Sequence, residues 1–256
     1  MFDEVSFRTL NVWKLNDPHF ARHFEDYYAT SKYTNLTEYC SEKGHLEFLK
    51  CAHMNGCPWG SRTCTLAAEN GYLECLKYAH ENECPWNGWV CSYAAGNGHL
   101  ACLEYAHKNG CPWNEDAQHG HLECLKYAHE IWCFWDFRTC AGAAGEGQLD
   151  CLKYAHENGC FWSKKTCEYA AQNGHLECLK YAHENGCPWD AFTCCIAAMN
   201  GHFKCLEYAH ENGCPLNEMI CEYTSAFAKY GSVHSKQSAQ SKVLCLLYAS
   251  SNGCYK

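Results

Sequence analysis

The chain has 256 residues, with 29 Asp and Glu against 20 Lys and Arg and a formal charge of -9. That balance excludes a surface built on clustered positive charge, so no nucleic-acid partner is expected. With 47% apolar and 19% charged residues, the composition also excludes a disordered chain.

The opening MFDEVSFRTLNVWKLNDPHF has no basic start followed by an apolar stretch, so it does not read as a signal peptide. No run in the chain approaches the roughly 18 apolar residues of a membrane span. The expectation is a cytoplasmic protein, or one of the cytoplasm or nucleus of a host cell, with no membrane partner. Residues 1–34 carry no repeat. PHFARHFEDYYA forms one predicted amphipathic helix with Phe20, Phe24, Tyr27 and Tyr28 on one side, which suits an N-terminal capping segment.

From residue 35 the cysteines set the organisation. The chain has 24 of them, and from Cys64 onward their gaps run 11, 9, 7, a period of 27 residues. One unit reads TCxxAAxNGHLECLKYAHENGCPWD. Its central glycine recurs at Gly44, Gly71, Gly98, Gly120, Gly147, Gly174 and Gly201. Each unit predicts two short helices. The first opens on a good N-cap, as at Asp190, with Trp189 placed to staple onto Cys194, and closes at Asn200-Gly201. The N-cap column holds Gly60, Asn87, Asn114, Asp136, Ser163, Asp190 and Asn217. The second helix, HLECLKYAHEN, has Leu176, Cys178, Leu179, Tyr181 and Ala182 in one apolar stripe and Glu177, Lys180 and Glu184 opposite. It ends at Asn185-Gly186, and Pro188 prevents its continuation. Strand-like alternation occurs nowhere. Such a pair cannot bury its apolar face alone, so stacking is expected.

The units fill residues 35–113 and 121–228. Between them, residues 114–120 form a truncated unit that lacks room for a first helix and would loosen or kink the stack. Residues 229–241, KYGSVHSKQSAQS, read as a polar inserted loop. Residues 242–256 read as a C-terminal capping helix.

GHLECLKYAHENGCPW resembles the ankyrin repeat, with Cys178 and Leu179 at the paired Val positions of its second helix and Tyr181, Ala182 and His183 at the triple-Leu positions. Cys194, Ala197 and Ala198 match the first-helix Leu and Ala pair. The family's unit has about 33 residues; the shortfall lies between Trp and Thr, where the family carries a β-hairpin finger. The resemblance implies an all-α, ankyrin-like helix-turn-helix solenoid of about seven to eight repeats, without fingers.

Zinc is the chemistry to test, because each unit carries a C-x4-H-x3-C run such as Cys178, His183 and Cys187. Five helical residues turn roughly 500°, so Cys178 and His183 point apart. The cysteines instead suit buried, reduced thiols that pack as small hydrophobes. No metal and no cofactor are expected. The two histidine columns are assigned to hydrogen bonding at helix ends. Gly96 to Ala101 fits G-x-G-x-x-A only by chance, between two helices, and no catalytic motif occurs, so no enzyme is expected.

Comparing copies separates the buried face from the free one. Seven, four and three residues before the glycine stand Cys, Ala, Ala. Nine, six and two residues before it, the residue varies: Arg62, Thr65, Glu69; Trp89, Ser92, Gly96; Lys165, Glu168, Gln172; Phe192, Cys195, Met199. In ankyrin-like arrays that side is the concave binding face. The sequence thus points to a monomeric, non-catalytic scaffold that binds a protein through Arg62, Trp89, Arg138, Lys165, Phe192, Met199 and Met219. The alternatives are a substrate adaptor for a ubiquitin ligase or similar machine, and a zinc-binding structural repeat protein.

Overall fold

The structure is a computed structural model, which describes residues 36–112, 121–131, 136–216, 220 and 236–252. The expected N-terminal cap, the truncated unit at 114–120 and Met219 lie outside these residues. The chain divides into two compact units, Met1–Ala117 and Gln118–Lys256.

The first unit contains α1 (Leu36–Lys43), α2 (Leu46–Met54), α3 (Ser61–Glu69), α4 (Leu73–Glu81), α5 (Trp89–Gly96) and α6 (Leu100–Lys108). The second contains α7 (Leu122–Glu130), α8 (Phe137–Gly145), α9 (Leu149–Glu157), α10 (Lys164–Asn173), α11 (Leu176–Glu184), α12 (Ala191–Asn200), α13 (Phe203–Glu211) and α14 (Lys236–Ser251). Among the described residues all regular structure is helical, and the connectors between repeats carry no finger.

Local chemistry sets the boundaries. Asp136 accepts from the Arg138 N–H at 2.8 Å, Asp190 from that of Phe192 at 2.9 Å, and Asn87 from that of Trp89 at 3.1 Å. Each satisfies a donor that the first turn of a helix leaves unpaired. Gly60 has no side chain to offer, and there the Gly60 N–H donates to Thr63 Oγ1 at 3.4 Å. At the other end the described glycines of the column, Gly44, Gly71, Gly98, Gly147, Gly174 and Gly201, adopt left-handed backbone. Behind Gly174, the His175 N–H returns to the Ala170 carbonyl at 2.9 Å, which closes the helix.

Within each compact unit, first helices pack on first helices and second helices on second helices: α1 on α3 on α5, and α8 on α10 on α12. Between these two layers lies the core. The first helices give it the Cys, Ala and Ala columns. The second helices give it one Leu, one Cys and one Ala each, as with Leu179, Cys178 and Ala182.

The last copy departs from expectation. Residues 236–241, expected within a polar loop, are helical and belong to α14. The inserted polar segment has enough helix formers and no proline to stop the helix from extending backward. The repeat register is nevertheless kept. Tyr248 on α14 meets His210, 38 residues earlier, as Tyr181 meets His156 across 25 residues.

Candidate functional site

A ring motif fastens consecutive second helices. His156 Nδ1 and the Tyr181 hydroxyl are hydrogen-bonded at 2.9 Å, and Trp162, in the intervening connector, stacks on the His156 ring with centroids 3.8 Å apart. His53, Trp59 and Tyr78 repeat it, as do His80, Trp86 and Tyr105. This histidine column therefore serves the stacking of units, beyond the helix-end role expected of it. The other histidine column has a different use. His175 lies against Gly147 of the preceding unit, so closely that a Cβ on that glycine would fall 2.5 Å from the ring.

The thiols complete the frame. Every cysteine among the described residues is buried and unbridged. The turn cysteines donate to the carbonyl of the residue that opens the same unit: Cys84 to Gly60 at 3.4 Å, Cys187 to Ser163 at 3.3 Å and Cys214 to Asp190 at 3.0 Å. Burial pushes the second-helix thiols up, Cys75, Cys102, Cys151 and Cys178 to about 11 and Cys205 to about 12. At neutral pH these are protonated, weakly polar packing groups.

What this frame leaves outside on the first helices is aromatic and charged. Trp89, Tyr93, Phe137, Tyr169 and Phe192 are between 39% and 45% exposed. Beside them stand cations held by carboxylates. Arg138 Nε lies 3.0 Å from Asp136, and Lys165 Nζ lies 2.6 Å from Glu168, which is only 2% exposed. Lys164 bridges to Asp190 of the next repeat at 2.8 Å. In the first compact unit, Arg62 reaches back to the buried Glu38 at 3.4 Å. These pairs hold long side chains in place without removing their charge from the surface.

Residues 167–210 match the family model described as Ankyrin repeats (many copies). The 27-residue period relates those residues to the other units. Within residues 167–210 the repeats are ankyrin repeats. Among solved structures, the human ASB11 ankyrin repeat domain is similar at 14% identity and a TM-score of 0.42, over 82% of this chain and 96% of that one. A search of the curated proteins found no match.

On the repeats the expected variable stripe is only partly a surface. Arg62, Trp89, Arg138 and Phe192 are exposed, and the Lys165 ammonium is at the surface. Met199 is half-buried against the core, with its sulfur 3.8 Å from Cys195 Sγ. The middle column is a correction: Ser92, Ala141, Glu168 and Cys195 are buried, and Thr65 is half-buried. The residue one place later, Tyr93 or Tyr169, faces out instead. It lies four positions after Trp89 or Lys165, so the two share a helix face. That column varies between copies as much as the one chosen, which was the available signal.

The suspected zinc run does not converge. Cys178 is buried in the core, His183 stacks on Trp189 at 3.7 Å, and Cys187 bonds Ser163. Among the described residues no three His, Cys, Asp or Glu side chains group as metal ligands.

Proposed function

We propose that the chain is a non-catalytic protein-interaction scaffold that binds a protein partner on the outer face of its first helices. The observation that carries this reading is that, in each compact unit, large aromatic residues are left 39–45% exposed on those helices, while the same helices bury small residues inward. Aromatic residues and arginine are the side chains that most often anchor interfaces, because they bury much area at low entropic cost. The carboxylate-held Arg62, Arg138 and Lys165 add fixed donors beside these rings. Ankyrin repeats are protein-interaction modules, and the matching family model supports that class of function. The compartment we propose is intracellular, where a core of free thiols stays reduced.

The test is partner capture by the intact chain under reducing conditions, in parallel with a triple variant, Trp89→Ser, Tyr169→Ser and Phe192→Ser. Circular dichroism confirms that both baits are folded. A partner that binds the intact chain and is weakened by about tenfold or more in the variant supports the reading, the size expected for loss of a hot-spot contact. Equal binding to both folded baits overturns it.

A further inference from the structure

The thiols are not equivalent. Second-helix cysteines stand one per helix in the core, whereas each complete unit also holds two thiols that meet. One is on the first helix and the other in the turn that closes the same unit, 20 residues later: Cys64 and Cys84, Cys140 and Cys160, Cys194 and Cys214. The first-helix sulfur lies 3.9, 4.0 and 3.8 Å, respectively, from the backbone oxygen of its turn partner. Cys91–Cys111 and Cys167–Cys187 occupy the same positions in their own units, and in every one of the five the turn thiol donates to the carbonyl of the residue that opens that unit. The turn cysteine lies beyond the end of its second helix, so helical geometry does not hold it away from the first-helix thiol.

We propose that each of these first-helix and turn pairs is a modification site, which a peroxide converts to a disulfide within its own repeat. One thiol of the pair attacks first, as the thiolate, which is the nucleophile. The thiolate sulfur bonds to one peroxide oxygen, the O–O bond breaks, and the departing hydroxide takes up the proton lost by the thiol and leaves as water. The product is a sulfenic acid. The partner thiol then attacks that sulfur and passes its proton to the leaving hydroxyl, and a second water departs as the S–S bond forms. Two thiols and one hydrogen peroxide give one disulfide and two waters. Both sulfurs are oxidised and both peroxide oxygens reduced.

The product suits its surroundings. A disulfide is neutral, as a buried group in an apolar core should be. A metal ion would find two thiolates and no third ligand among the described residues, short of the four that structural zinc takes. Both sulfurs also lie beneath one closing turn, so a local opening of that turn admits the oxidant without unfolding the stack.

The test uses the full chain, reduced, freed of reductant and kept with a chelator. Increasing hydrogen peroxide is added, remaining thiols are alkylated, and digests are mapped by mass spectrometry. The expected cross-links join 64–84, 91–111, 140–160, 167–187 and 194–214, while Cys75, Cys102, Cys151 and Cys178 remain alkylated. Helical circular dichroism persists, and the urea midpoint shifts upward and returns on reduction. Cross-links between different repeats, equal oxidation of the second-helix thiols, or oxidation only after denaturation would each overturn the proposal. In Cys187→Ser, the 167–187 link should vanish and Cys167 stay alkylatable, with the other four links unchanged. Cross-linking of Cys167 elsewhere at an undiminished rate argues against the pairing. If that variant loses its helical signal, the map of the unaltered chain decides alone.

Discussion

The two helices of one repeat share a core but differ in what they turn outward. The second helices are near copies, and their outer side is solvated by i,i+3 ion pairs: Glu74–Lys77 at 2.9 Å, Glu123–Lys126 at 2.8 Å and Glu177–Lys180 at 3.0 Å. Exposed pairs of this kind contribute only about 0.2–0.5 kcal/mol each, so they serve solubility more than stability. The first helices bury a fixed Cys, Ala, Ala face and vary outside it, where Trp89, Tyr169 and Phe192 stand exposed. Where that variation reaches the surface the fold leaves freedom, and there the proposed partner docks.

The contrast predicts a steep difference between inward and outward positions of one helix. Leu179→Ala on α11 removes a side chain with no exposed surface and should cost about 3 kcal/mol in urea denaturation, from lost burial plus the cavity left behind. Its neighbour Lys180→Ala should change the midpoint by no more than about 0.5 kcal/mol. A similar cost for both would remove the distinction between the two sides.

The glycine between the helices is the next lever. Gly147 has a φ of +71°, and a Cβ there meets His175 of the following repeat. Gly147→Ala should lose about 1–2 kcal/mol through backbone strain and displacement of that ring. His175→Ala in the same background should recover part of the loss. Strictly additive effects would mean that the ring does not constrain the glycine.

One repeat already carries the opposite substitution. In the turn after α4, Glu83 occupies the column held elsewhere by Gly56, Gly110, Gly159, Gly186 and Gly213, and its φ is +64°. Glu83→Gly should raise stability by about 0.5–1 kcal/mol, because left-handed backbone is strained for any residue with a Cβ. An unchanged or lower midpoint would show that the Glu83 side chain contributes something the other repeats lack.

The smallest effect is a dependence on pH. Burial holds His202 below the ordinary histidine value, with the like charges of His175 and Lys242 acting in the same direction and a hydrogen bond to the Gln172 backbone opposing them. The folded state therefore favours the neutral ring. Stability is full above the ordinary value near 6.5 and declines as pH falls through it toward the lower folded value. Acidification from about pH 7.5 to about pH 5.5 should lower the midpoint more in the unaltered chain than in His202→Gln. Equal losses would assign the acid sensitivity to other groups.

Periodicity alone made much of this architecture legible. Among the described residues, the 27-residue spacing, the N-cap column and the Asn-Gly closures located both helices of each complete repeat, because capping is a local property that neighbouring residues settle among themselves. The outer face was harder to read. A helix position six residues before the glycine varies between copies just as a surface position would, yet Glu168 and Cys195 there are buried. Variation records tolerance, and a packed seam between repeats tolerates several side chains of suitable size.

The amino-acid sequence by itself determined the repeat, its helix pairs and the small-residue face that each first helix buries. Only the tertiary structure decided which residues meet across repeats: His156 with Tyr181, the ring of His175 with Gly147, and Arg62 with Glu38. It also brought each first-helix thiol to the turn of its own unit. These contacts join residues some 20 to 30 positions apart. Their geometry depends on how one helix pair is set against the next, which no local pattern of hydrophobicity or capping encodes.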